Sequence, residues 1–126
     1  MPTYISLVQF TDKGIQAAKE TTQRVADWSA KVQSMGVRIN QMYWTLGQYD
    51  QVCIFDAPDD ETAASVLLAA DMLGNIRTRT MRAFTISEME RILSKMPCPA
   101  RRAKRPQRSG RRHVARKRNA RPLRIE

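Results

Sequence analysis

The chain is poor in the residues on which most site chemistry relies. Of its 126 residues one is histidine, His113, so residues 1–96 hold no imidazole for haem, zinc or a catalytic triad. The two cysteines, Cys53 and Cys98, are widely separated. They form neither a metal-spaced pair nor a disulfide framework, and they fit a reducing compartment. Gly14, Gly36, Gly47 and Gly74 are isolated, each near a helix end or turn, so there is no glycine-rich phosphate loop and no dinucleotide fingerprint. No run approaches the roughly 20 apolar residues of a membrane span. The N-terminus also lacks a basic segment followed by an apolar stretch of signal-peptide length. Together these absences disfavour the obvious cofactor enzymes, predict neither cofactor nor metal, and make the cytoplasm the default location.

Charge is unevenly spread. Residues 1–96 carry ten Lys and Arg against eleven Asp and Glu, whereas residues 97–126 carry twelve against one. The chain therefore reads as a nearly neutral domain, 1–96, followed by a strongly cationic tail, 97–126. A domain of that size can bury an adequate core.

Thr3 to Phe10 (TYISLVQF) is rich in β-branched and aromatic residues and reads as the first strand. Thr11 offers a hydroxyl cap and Asp12 a first-turn carboxylate. Ile15, Ala18, Thr22, Val25, Ser29 and Val32 then mark one face of a long helix that Gly36 stops. Residues 37–46 and Gln51 to Asp56 form two strands joined through Gly47-Gln48-Tyr49-Asp50. Pro58, Asp59, Asp60 and Glu61 open an acidic helix start, with Ala63, Val66, Leu67, Ala70 and Leu73 as its apolar stripe and Gly74-Asn75 as its end. Residues 76–86 (IRTRTMRAFTI) read as a fourth strand. Ser87-Glu88-Met89-Glu90 suggests a capping box for a short C-terminal helix whose apolar side carries Met89, Ile92, Leu93 and Met96. The order β-α-β-β-α-β predicts an α+β, ferredoxin-like fold: a four-stranded antiparallel sheet with its helices on one face.

The strands are apolar on both parities. Ile5 and Leu7 alternate with Tyr4, Val8 and Phe10, and Val52 and Ile54 with Cys53 and Phe55. Helices on one face leave the other bare, beyond what a soluble monomer usually exposes. This predicts a homodimer packed sheet to sheet. The rival account is a wetter face, supplied by Gln41, Thr45, Gln51, Thr78 and Thr80.

Four segments carry a family likeness: MPTYISLVQFTDKGI, YWTLGQYDQV, APDDETA and LGNIRTRTMRAF. The chain resembles the GYD-domain family, small bacterial and archaeal proteins named for a Gly-Tyr-Asp-type motif. The likeness covers residues 1–93 and leaves the tail out. Here the motif reads Gly47-Gln48-Tyr49-Asp50, with one residue between Gly and Tyr. The family resembles the dimeric α+β barrels, in which two ferredoxin-like sheets meet, so the resemblance implies the same homodimer. It implies no activity, because the family has no established general one.

Candidate ligand-binding residues fall in two groups. Tyr43, Trp44, Tyr49 and Asp50 cluster in the hairpin, where Tyr49 as proton donor and Asp50 as base are candidate catalytic residues. The alternative is structural: Gly47 permits an unusual backbone, the aromatics fill core, and Asp50 caps the turn. On the last strand, period two sets Arg77 and Arg79 on one side and Thr78, Thr80 and Arg82 on the other. Arg77, Thr78 and Arg82 are the candidates there for an anionic ligand. A charge-protected edge strand, or pairing with Asp56 and the acidic helix start, is the alternative.

The tail lacks aromatics and nearly all apolar residues, which predicts disorder. Arg101, Arg102, Lys104, Arg105, Arg111, Arg112, Arg116, Lys117 and Arg118 would attract nucleic acid, another polyanion or an anionic membrane surface. With nothing to stack on bases, nucleic-acid binding would be non-specific. A gel shift of the full chain against one ending at Met96 separates that from an extension with no partner. Three functions stay open from sequence: a homodimeric barrel binding a small anionic or aromatic molecule, an interaction module that grips nucleic acid with its tail, and a cofactor-independent enzyme using Tyr49 and Asp50.

Overall fold

A computed structural model describes residues 1–98. The cationic tail beyond Cys98, including His113 and every candidate nucleic-acid contact in it, lies outside the described residues. The chain divides into two units, Met1–Ser94 and Lys95–Glu126. The elements of the first unit are β1 (Thr3–Phe10), α1 (Asp12–Gln16), a 3₁₀ turn (Ala18–Glu20), α2 (Thr21–Gln33), β2 (Arg38–Trp44), β3 (Gln51–Asp56), α3 (Asp60–Met72), β4 (Ile76–Ala83) and α4 (Ile86–Ser94). The strands form one antiparallel sheet in the order β2-β3-β1-β4. This is the ferredoxin-like fold.

Alternation along the strands decides what is buried. Tyr4, Ser6 and Val8 of β1 and Gln51, Cys53 and Phe55 of β3 are buried. Their core cluster includes Val32 from α2 and Ala63 and Val66 from α3, so this is the helix-covered face. Phe55, 0% exposed, stacks on Tyr4 with ring centroids 5.3 Å apart, an arrangement worth about 0.5–1.5 kcal/mol beyond area burial. The opposite parity forms the open face. Register sets Ile5 beside Ile54 and Met81, and Leu7 beside Val52 and Arg79.

The expected long helix is broken. Thr11 N–H donates to the Asn75 carbonyl, and the Thr11 hydroxyl donates to the Gly74 carbonyl at 2.5 Å. A Cβ on Gly14 would lie 1.9 Å from the Asn75 oxygen, so only glycine allows this approach. Pinned to the turn before β4, α1 cannot continue along the sheet, and the chain bends through the 3₁₀ turn into α2. Ile15 consequently ends exposed rather than on a core stripe.

The last helix also differs. β4 stops at Ala83, and the capping box is Thr85-Ile86-Ser87-Glu88. Glu88 N–H donates to the Thr85 hydroxyl at 3.2 Å, and Thr85 N–H donates to the Glu88 carboxylate at 3.3 Å. Met89, Leu93 and Met96 are exposed, not buried as their spacing suggests. On α3, Ala63, Val66 and Ala70 are buried as expected, while Leu73 is exposed.

Candidate functional site

The hairpin residues do not converge. Tyr43 pairs with Val52 on the open face and is 54% exposed. Trp44 pairs with Gln51 on the covered face, where its indole Nε1–H donates to Thr21 Oγ1 at 3.1 Å. Gly47 holds the turn at φ 115, a conformation few other residues adopt. Around it the Thr45 hydroxyl donates to the Tyr49 carbonyl at 2.6 Å, and Thr45 N–H donates to the Asp50 carbonyl at 2.8 Å. Asp50 fastens this turn to β1. Its N–H donates to the Val8 carbonyl at 2.8 Å, and its Oδ2 accepts from Phe10 N–H at 2.7 Å.

Strand β4 divides as period two requires. Arg77 and Arg79 are exposed on the open face, and no ion pair joins them to Asp56 among the described residues. Asp56 accepts from the Thr3 hydroxyl at 2.7 Å instead. On the covered side the Thr78 hydroxyl donates to Asp71 Oδ2 at 3.1 Å. Arg82 is extensively engaged: its guanidinium lies 5.5 Å from the Tyr4 ring centre and 4.7 Å from that of Phe84. It also donates to the Thr3 and Ala83 carbonyls and pairs with Glu88 at 3.4 Å.

Electrostatics at this end follow from burial and capping. The Tyr4 hydroxyl donates to Asp60, and burial followed by that bond pushes its pKa up to about 12. Glu88 is held below the usual carboxylate range, first by the Thr85 N–H. The Thr62 N–H does the same for Asp59, the cap of α3. Burial alone pushes the Cys53 thiol up to about 12. No group of three or more His, Cys, Asp or Glu residues able to hold a metal occurs among the described residues.

A cavity between sheet and helices was one expectation; the structure holds one of about 80 Å³ between the sheet and helices α2 and α3, but sequence reasoning missed its lining. Thr21, Arg24 and Trp28 line it from α2, with Ser6, Gln51 and Thr78 opposite. The buried Trp28 Nε1–H has no acceptor, an omission that costs about 1–3 kcal/mol. Of the predicted ligand residues only Thr78 lines this cavity; Tyr43, Trp44, Tyr49, Asp50, Arg77 and Arg82 do not. The available signal was Trp28 itself, one large aromatic four residues after Arg24 on α2.

The GYD domain model matches residues 4–93. The chain belongs to the GYD-domain family. A Thermus thermophilus protein named "Glutamine synthetase and cystathionine beta-lyase binding protein" is 30% identical over 90 residues, covering 71% of this chain and 95% of that one. The crystal structure of TTHA0845 from Thermus thermophilus aligns with a TM-score of 0.44 at 21% identity, over 68% of this chain and 95% of the other. An ACT domain protein from Streptococcus pneumoniae aligns with a TM-score of 0.43 at 17% identity, over 77% and 98%. In this GYD domain the Gly-Gln-Tyr-Asp segment therefore sits in a turn that Asp50 ties to the first strand. Among the described residues no helix is long and apolar enough to cross a membrane.

Proposed function

We propose that this GYD-domain protein acts as a homodimeric binding module, with two copies paired across their open sheet faces and a further protein bound by the pair. The observation that carries the dimer is the composition of the open face. Ile5, Leu7, Val52 and Ile54 form its centre and Met81 and Tyr43 extend it, an apolar surface that water-soluble monomers rarely leave bare. The polar residues that might have wetted it lie elsewhere: Gln51, Thr78 and Thr80 occupy the covered face, and Thr45 lies beyond β2. Of these five only Gln41 stands on the open one, beside Ile54, and Arg77 and Arg79 border it on the edge strand β4. Binding is favoured over catalysis because the Asp50 carboxylate is engaged by the Phe10 N–H and Arg82 by its neighbours. A protein partner is supported by the name of the Thermus relative, which gives two enzymes as what that protein binds.

Light scattering on the full chain tests the dimer. The expected mass is twice that of one chain, Ile54→Lys and Leu7→Lys reduce it to one, and Leu68→Lys on the exposed side of α3 leaves it unchanged. A wild-type monomer at micromolar concentration overturns the dimer. Surface plasmon resonance against glutamine synthetase and cystathionine β-lyase from the source organism tests the partner, and the absence of saturable binding to either removes that half.

A second reading is a small ligand held inside each domain. The cavity favours it, with Arg24 on its wall and no carboxylate among the described residues within ion-pair distance of that guanidinium.

A further inference from the structure

We infer that the cavity between the sheet and helices α2 and α3 is a site for a short-chain monocarboxylate. Arg24 holds the carboxylate with Thr21 and Trp28 beside it, and the tail lies against Val8, Cys53, Phe55 and Leu67. This rests on the small-ligand reading and names its chemistry.

The cavity wall has donors in excess. Thr21, Arg24 and Trp28 recur at three and four residues along α2 and so share one stripe. Trp28 Nε1–H has no acceptor. Thr21 Oγ1 accepts from both Trp44 Nε1 and Gln51 Nε2, at 3.1 and 2.8 Å, which leaves its own proton to be donated. The one hydrogen bond of the Arg24 guanidinium is a 3.5 Å contact to the Gly14 carbonyl, and no carboxylate among the described residues lies within ion-pair distance of it. The Trp28 N–H is sealed from solvent, so Arg24 and the Thr21 hydroxyl are the donors free to meet an anion, and the Arg fork suits the two oxygens of a carboxylate.

Size and surroundings narrow the class. A cavity of roughly 150 Å³ admits the six carbons of benzene. By that scale the 80 Å³ here takes about three atoms, an ethyl or propyl tail. The head then sits at the wall, where Arg24, Trp28 and Leu73 also line an outer groove of about 390 Å³ between α2 and α3. That groove is the route in. A second negative charge is disfavoured: among the described residues Arg24 is the only cation lining the cavity, the groove sets Lys31 alongside Asp27, and Asp71 stands behind Thr78 with a buried, unpartnered Oδ1.

The test follows the indole N–H signals of the ¹⁵N-labelled full chain, assigned with Trp28→Phe, at constant ionic strength. Probes are butyrate, propionate, propionamide and inorganic phosphate. Butyrate or propionate is expected to shift the Trp28 signal saturably, and Arg24→Gln to weaken that binding at least about tenfold. Arg24→Lys, which keeps the charge and loses the fork, should fall between. Propionamide and phosphate should leave the signal in place. An equal response to propionamide overturns the carboxylate assignment and leaves the small-ligand reading standing. An Arg24-dependent response to phosphate matching that to butyrate overturns the assignment in favour of a general anion contact. No response to any probe removes both.

Discussion

The two faces of one sheet are built from the same strands and differ in an unexpected direction. The covered face is the more polar at its centre: Ser6 and Gln51 are buried there, with the Ser6 and Thr80 hydroxyls 2.9 Å apart and Gln51 bonded to Thr21. The open face is the greasier, with Ile5, Leu7, Val52 and Ile54 in adjoining positions. A chain designed to work alone would put its most apolar parity under the helices. This one places interlocking aromatics and satisfied polar groups there and leaves the aliphatic parity free, which is sensible when that parity meets another chain. Burial within the chain and apolarity are therefore separate properties, and comparing them across a sheet marks a candidate contact surface.

That contrast can be broken by substitution. Phe55→Ala removes a fully buried, stacked ring and should cost about 3–5 kcal/mol in urea denaturation, at any protein concentration. A loss below about 1 kcal/mol would mean that the covered face does not hold the fold.

High pH should weaken the covered face next. Folding keeps protons on Cys53 and Tyr4, each pushed up to about 12 from ordinary values of 9.0 and 10.0. As pH rises the unfolded chain releases those protons first and is favoured. Their contribution is thus complete below about pH 9 and lost progressively between pH 9 and 12. A pH series of melting temperatures should show this fall, and Tyr4→Phe should flatten its part above pH 10. Native-state thiol titration supplies a parallel check: exposed Cys98 reacts promptly, whereas buried Cys53 waits for unfolding.

Smaller still is Thr85→Ala, which should cost about 1 kcal/mol by opening the box at the start of α4. Smallest of all on the isolated fold is Ile54→Lys, within about 1 kcal/mol when unfolding is measured at high dilution. Its signature lies elsewhere. It should abolish the dependence of the melting temperature on protein concentration that a folded pair requires.

Much of the fold is legible in sequence because its strands announce themselves. Thr3–Phe10 and Gln51–Asp56 have the bounds their alternating residues indicate, and Gly36, Gly47 and Gly74 stand at positive φ where turns fall. The break after α1 is not legible, because it follows from Gly14 meeting the Asn75 carbonyl, a contact far away in sequence. Thr85-Ile86-Ser87-Glu88 and Ser87-Glu88-Met89-Glu90 both match a capping box, and the end of β4 chooses between them. The candidate site was grouped by nearness in sequence, yet strand alternation sends Tyr43 and Trp44 to opposite faces. The cavity was legible only as one of two places for a ligand, between sheet and helices or between subunits. It is bordered by small side chains, Ser6, Cys53 and Ala70, and missing volume leaves no trace in periodicity.

The pairing of open faces is best tested by intermolecular nuclear Overhauser effects in an equal mixture of ¹³C-methyl-labelled and unlabelled full-length chains. Cross-peaks between copies should arise at the methyls of Ile5, Leu7, Val52 and Ile54. Their absence there, or their appearance only at Met89 and Leu93 of α4, would contradict it.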